Sequence, residues 1–258
     1  MKKYHLHCLL LLIMNLPSTA NAQSFSDVEM IVHPVNKNVS YIEGRGGNIG
    51  VIYGEDGILL IDDQYAPLTE KIIEAISNFS SEPIRFIINT HMHPDHTGGN
   101  ENFGKRGALI VGHENVRSQM KVAGYDQTPP FVTFSKDVNF HINDENIHVF
   151  KVPNAHTNND SFIKFTNANV IHTGDVFRSE SYPYIDANNG GSFLGTIEVY
   201  ELLISLCDEN TKIWSAPSCK GDLTNCPEFL MDNVAYQSTK VTFLMSVSYT
   251  HLTLPTKA

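Results

Sequence analysis

The sequence predicts an α/β fold, and three observations predict it. Short runs rich in β-branched and aromatic residues recur at residues 48–53, 57–61, 84–88, 108–111, 147–152, 162–165, 170–172 and 212–214. Stretches with a helical apolar period, residues 67–79, 113–122 and 196–206, stand between them. Polar loops dense in His, Asp and Asn follow directly on several strand ends.

Residues 48–53 and 57–61 read as core strands joined by Gly54-Glu55-Asp56-Gly57, whose Asp-Gly pair is a hairpin signal. In 67–79, Leu68, Ile72, Ile73, Ile76 and Phe79 keep a helical period, with Pro67 near the first turn. The apolar run 84–88 reads as a buried strand that delivers a histidine-rich loop, and Gly98 and Gly99 let the backbone fold tightly there. A strand at 108–111 leads into the helix at 113–122. His113 begins that helix among the solvated Glu114, Asn115 and Arg117, which makes it a surface or capping residue. Pro129 and Pro130 mark a loop able to overhang a site.

The alternating run 147–152 makes His148, like His141, a strand-face residue. Residues 153–160 then form a polar loop carrying His156. The strand at 170–172 contains His172, read as packed, and runs into Thr173-Gly174-Asp175. A loop at 188–191, a helix at 196–206 and a short strand at 212–214 follow, with no internal repeat strong enough to assert.

Residues 1–22 have the pattern of a secretory signal: Lys2 and Lys3, an apolar run, then Ala20-Asn21-Ala22 as a small-residue cleavage site. Mature protein is expected to begin near Gln23, and 23–245 is expected to form one domain. The apolar run is short for a bilayer and no second one is long enough to cross, so no membrane span is expected after signal removal and the location is periplasmic or secreted. A formal net charge of -10 with no visible basic patch argues against nucleic acid and for a small-molecule substrate. Nothing in the sequence fixes the oligomeric state. Cys8 leaves with the signal, and Cys207, Cys219 and Cys226 allow at most one disulfide.

His91, His93 and His96 enclose Asp95 just past the strand at 84–88. Neutral imidazole and carboxylate together suit zinc, and a zinc site with an open position can hold an activating water. The spacing of His91 and His93 sends both side chains one way in an extended segment, while Asp95 and His96 follow the turn set by Pro94 and can reach a second metal.

His91-x-His93-x-Asp95-His96, then Ala155-His156-Thr157, then Gly174-Asp175, in this order, resemble the metallo-β-lactamase superfamily of zinc hydrolases over about residues 48–213. The resemblance implies a four-layer αββα sandwich with a dinuclear zinc cleft along one edge. It assigns His91, His93 and His156 to one zinc, Asp95 and His96 to the other, and Asp175 to a bridge between them. It implies hydrolysis of a cyclic or activated amide or ester (β-lactam, lactone or thioester) by a metal-bound hydroxide, with Asp95 orienting the hydroxide and carrying its proton. Arg178, Tyr182 and Tyr184 are candidates for contacting a substrate carboxylate or oxyanion. The best-known zinc β-lactamases carry Cys where this chain has Asp175, whereas lactonases and thioesterases of the superfamily carry Asp. Two other readings are a mononuclear iron enzyme resembling the persulfide dioxygenases and a catalytically impaired metal-binding protein.

The chain departs from the resemblance near its end. A Pro-Gly-His-Gly turn carries the last zinc ligand in the family, and here the sequence reads Trp214-Ser215-Ala216-Pro217-Ser218-Cys219. Residues 246–258 resemble a translated transposon-end sequencing adapter, so His251 is not promoted to the vacant role, and Cys219 is the alternative soft ligand. A compensated reading-frame error in the source DNA is the hypothesis for the lost histidine. Resequencing tests this, and an intact Trp-Ser reading refutes it.

Overall fold

The protein is described here from a computed structural model, which covers residues 24–125, 127–178 and 183–214. The expected signal at 1–22, Cys219, Cys226, Tyr182 and the segment 246–258 lie outside the described residues.

Two sheets carry the fold. The first has seven strands in sequential order: β1 (Ile31–Pro34), β2 (Val39–Glu43), β3 (Ile49–Ile52), β4 (Ile58–Ile61), β5 (Ile84–Asn89), β6 (Leu109–His113) and β7 (Val132–Phe134). Its first four strands pair antiparallel, and β4 through β7 run parallel. The second sheet holds β8 (Asp137–Ile142), β9 (Glu145–Lys151), β10 (Ser161–Phe165), β11 (Val170–His172) and β12 (Lys212–Trp214), in the order β12-β11-β10-β9-β8. All its pairs are antiparallel except β11 with β12.

The apolar pattern explains the layering. β4 is Ile-Leu-Leu-Ile and buried throughout, as a strand covered on both faces must be. Its Leu59 and Ile61 point between the sheets, where they meet Ile147, Val149, Ile163, Phe165 and Trp214 of the second sheet. Its Ile58 and Leu60 point outward, under α1 (Thr69–Ser77) and α3 (Asn100–Lys105), against Ile72, Ile76 and Phe103. On the far side, α5 (Phe193–Leu206) lays Val199, Tyr200 and Leu203 over Phe162, Ile171 and Ile213. Helix, sheet, sheet and helix give the αββα sandwich. Trp214 fills the inter-sheet core beside Tyr41 and Phe165, with ring centroids 5.6 and 5.4 Å away.

Several boundaries differ from the sequence reading. The first helix opens as a 3-10 turn, Ala66–Leu68, with Pro67 in it, and α1 ends at Ser77. α5 starts three residues earlier than the expected Thr196, because Ser192 caps it by accepting from the Gly195 amide at 3.2 Å. Phe193 and Leu194, in its first turn, are exposed, so apolar periodicity does not register them. His113 caps α4 (Glu114–Ala123), its Nδ1 accepting from the Asn115 amide at 3.1 Å, but it is buried rather than at the surface. Strands β1, β2 and β7 are not among the expected elements, and β8 is expected only through the strand-face reading of His141.

Away from the strand ends that carry the histidines, Asn143 ties the two sheets together. It sits in the β8–β9 turn at φ 52°, a left-handed conformation that Asn tolerates. Its Oδ1 accepts from the Asp56 amide at 2.9 Å, its own amide donates to Asp56 Oδ2 at 2.8 Å, and its Nδ2 donates to the Gly57 carbonyl at 2.8 Å. Asn143→Ala removes two of these bonds and strains the turn, so we expect a loss of about 2–3 kcal/mol of stability. Denaturant unfolding measures it, and metal binding, at the other end of the strands, is expected to stay unchanged.

Candidate metal centre

Parallel pairing of β4 and β5 places their carboxyl ends side by side, and the site is assembled on that edge. Asp62 follows β4 at φ 63° and is fully buried. Its carboxylate accepts from the Thr90 amide at 2.7 Å and the Thr90 hydroxyl at 2.8 Å, and lies 2.7 Å from His96 Nδ1. Past Thr90, the chain extends through His91 to His93 and then turns into α2 (Pro94–Thr97), a single turn with Pro94 in its first positions. That turn brings His96 back toward Asp62. Asn89 and Asn100 close the base of the loop through paired amides at 3.1 and 2.9 Å.

The second sheet supplies the rest. Residues 153–160 wrap around the buried Asp160, whose carboxylate accepts from the Thr157 amide at 2.9 Å and the Thr157 hydroxyl at 2.5 Å. Asn159 Oδ1 accepts from the Met92 amide at 2.9 Å, which pins the His156 loop to the histidine cluster. Gly174, at φ 55°, turns the chain after β11 and presents Asp175.

These elements converge. His93 Nδ1 lies 3.0 Å from His91 Nε2 and 2.9 Å from His156 Nε2. His96 Nε2 lies 2.9 Å from Asp175 Oδ1 and 3.7 Å from Asp95 Oδ2, and Asp175 Oδ2 lies 4.0 Å from His156 Nε2. Two overlapping donor groups result: His91, His93 and His156 form one, and His91, His96 and Asp175 the other. Asp95 stands beside the second group with its side chain 26% exposed, facing the cleft.

The remaining ring nitrogens are all committed to acceptors. His91 Nδ1 donates to the Thr90 hydroxyl oxygen at 3.0 Å, since that hydroxyl already gives its proton to Asp62. His93 Nε2 donates to Asp186 Oδ2 at 2.9 Å, His156 Nδ1 to the Tyr184 carbonyl at 2.7 Å, and His96 Nδ1 to Asp62. His91, His93 and His156 are therefore each held in the tautomer that leaves the other nitrogen as a lone pair aimed inward, while His96 turns its Nε2 toward Asp175. Tetrahedral zinc with nitrogen ligands would space them about 3.3 Å apart, close to what His91, His93 and His156 show. His96 Nε2 and Asp175 Oδ1 are buried and, although close, have no well-oriented hydrogen-bond partner among the described residues. The donor set thus fits divalent cations.

Charge divides the site. Burial, then the neighbouring imidazoles, holds His91 well below the ordinary histidine range, and burial with His156 beside it lowers His93. For His96, burial opposes protonation, but Asp175 and Asp62 outweigh it and raise the imidazole well above its usual range. Asp175 is held low in turn: burial pushes it up, and His96, His156 and Arg178 more than reverse that. In this geometry a proton on His96 sits between two carboxylates.

The structure brings together His91, His93, His96, His156 and Asp175, with Asp95 at the rim. Arg178 Nη2 lies 3.8 Å from Asp175 Oδ2. Tyr184 exposes most of its side chain, with its ring centroid 5.7 Å from that of His156. His172 stays packed, its Nε2 donating to the Asn48 carbonyl at 3.0 Å. Sequence reasoning missed Asp62, Asp160 and Asp186. Asp62 carried a readable signal, a carboxylate at the end of an apolar strand, whereas Asp186 lies in a loop that offers none.

The sequence profile described as the Metallo-beta-lactamase superfamily matches residues 42–206. Among solved structures, the chain is similar to a metallo-beta-lactamase from Pontibacter korlensis at 16% identity and a TM-score of 0.69, over 84% of this chain and 99% of that one. It is similar to the DIM-1 metallo-beta-lactamase at 14% identity and 0.69, over 86% and 100%. FIM-1 from Pseudomonas aeruginosa, in its mono-zinc form, gives 15% identity and 0.68, over 86% and 97%. At these identities the likeness establishes the fold alone.

A cation entering beside His96 and Asp175 must displace the His96 proton, whereas His91 and His93 are already neutral above their ordinary range. Affinity at the His96 position should therefore rise with pH through neutrality, by up to about tenfold per unit, until the raised pKa is passed. Zinc titration in buffers of different ionisation enthalpy measures the released proton, and a response flat in pH would remove the imidazolium from this account.

Proposed function

Because the chain belongs to the metallo-beta-lactamase superfamily, we propose that it is an exported zinc hydrolase opening a cyclic or activated amide or ester, with lactone, thioester and β-lactam as the candidate bonds. One observation carries this reading: three imidazoles locked in metal-facing tautomers converge with His96 and Asp175 at the edge of the sandwich.

His91, His93 and His156 would hold one zinc, and Asp95, His96 and Asp175 a second, with Asp175 between the two. Bound there, the cations supply an acidified water and a Lewis-acid contact for the scissile carbonyl. Asp95, partly exposed to the cleft, accepts a proton and returns it to the leaving group. Arg178, beside Asp175, offers a positive charge to a substrate carboxylate or oxyanion, with Tyr184 and Tyr182 as further contacts. Aspartate at 175 favours lactone or thioester over a dedicated β-lactam activity. Export is supported by the signal pattern in residues 1–22, and none of the described helices is long and apolar enough to cross a membrane. The position that closes the second site in the resemblance falls at 215–219, outside the described residues.

The test combines metal analysis with a hydrolysis screen of the zinc-loaded protein against a lactone, a thioester and a β-lactam. We expect close to two zinc ions per chain, and a fall in kcat/KM of at least about a thousandfold in His91→Ala. A single tightly held iron would point to the dioxygenase reading. Hydrolysis equal in wild type and variant would leave a metal-binding protein without this activity.

A further inference from the structure

Residues 24–30 are tied to α1 and to the loop between β2 and β3. Lys71, on α1, directs its ammonium at three backbone carbonyls of this segment: Phe25 at 3.1 Å, Ser26 at 2.6 Å and Val28 at 2.7 Å. All three ammonium donors thus find acceptors. Phe25 packs on Tyr65 with ring centroids 5.3 Å apart, and the Arg45 guanidinium lies 5.3 Å from the Phe25 ring centroid. Arg45 Nη1 also donates to the Ser24 carbonyl at 2.8 Å.

Arg45 belongs to the loop between β2 and β3, which presses on the candidate ligands. Its amide donates to Gln64 Oε1 at 3.2 Å, and Gln64 Nε2 donates to the Gly47 carbonyl at 2.7 Å. A Cβ on Gly46 would lie 2.7 Å from Asp95 Cβ and 3.4 Å from Tyr65 Cε2, and one on Gly47 would lie 2.2 Å from His96 Cε1. Only glycine allows this approach.

We propose that residues 24–30 form a strap that positions the metal centre: clamped by Lys71, the strap fixes Tyr65 and Arg45, and through them seats the glycine loop against Asp95 and His96. Lys71 and Phe25 are then positioning residues for the second cation, far in sequence from every ligand. The strap's metal consequence rests on the zinc reading above, but its mechanical consequence does not.

Hydrogen exchange by mass spectrometry on the full chain tests the mechanical part. In Lys71→Met, the amides of residues 44–47 should exchange about tenfold faster while those of β5 keep their protection. Lys71→Arg, which still donates to carbonyls, should restore the wild-type pattern. Zinc affinity at the position beside His96 and Asp175 should fall about tenfold in Lys71→Met, with that at His91, His93 and His156 unchanged. Faster exchange confined to residues 24–30, with residues 44–47 as in wild type, would overturn the proposal. Should Lys71→Met fail to fold, Phe25→Ala removes the contact with Tyr65 and is read by the same two exchange outcomes. An absence of hydrolysis would count against the proposed function and leave the exchange result standing.

Discussion

A buried carboxylate that bonds to three groups on the neighbouring segment sets the geometry on which the rest depends. Asp62 receives the amide and hydroxyl of Thr90 and the Nδ1 proton of His96, so the ends of two parallel strands and the loop beyond them share one anchor. An unpaired carboxylate at that depth would be strongly disfavoured, and its three donors are what make the position tolerable. In satisfying Asp62 the chain also fixes where Thr90 can accept from His91 and where the free nitrogen of His96 points. Local folding and site assembly are therefore a single event.

The same logic is distributed over both sheets. Asp186 orients His93, the Tyr184 carbonyl orients His156, and Asp160 shapes the loop from which His156 projects. None of these groups faces a cation, yet they decide which nitrogen lone pairs are available. A donor set fixed in advance loses little conformational freedom on binding, which favours affinity.

How much of this was legible varied with the physics of each element. β4 was readable because a strand covered on both faces needs a continuous apolar run, β5 because only the exposed Arg85 interrupts its apolar residues 84–88, and the histidine cluster because three imidazoles so close together have few structural uses. The layering followed from the family resemblance rather than from periodicity. β1 has partly exposed residues, β7 is a short edge strand, and β8 has an exposed face, so their apolar signal was weak. Asp186 and Asp160 were unreadable for a different reason. Their roles come from contacts with His93 and Thr157 that exist only once the loops are folded, and an aspartate among Asn and Gly looks like ordinary turn chemistry.

Donors from the first sheet, His91, His93 and His96, meet donors from the second, His156 and Asp175, at one edge of the sandwich, while Asn143 joins the two sheets' hairpins elsewhere. A cation gripped by both sheets would be a reversible cross-link between them. Removing it would loosen that edge only in part, because the Met92 amide still donates to Asn159, the Ser161 amide still donates to the Thr90 carbonyl, and the Asn143 contacts stay closed.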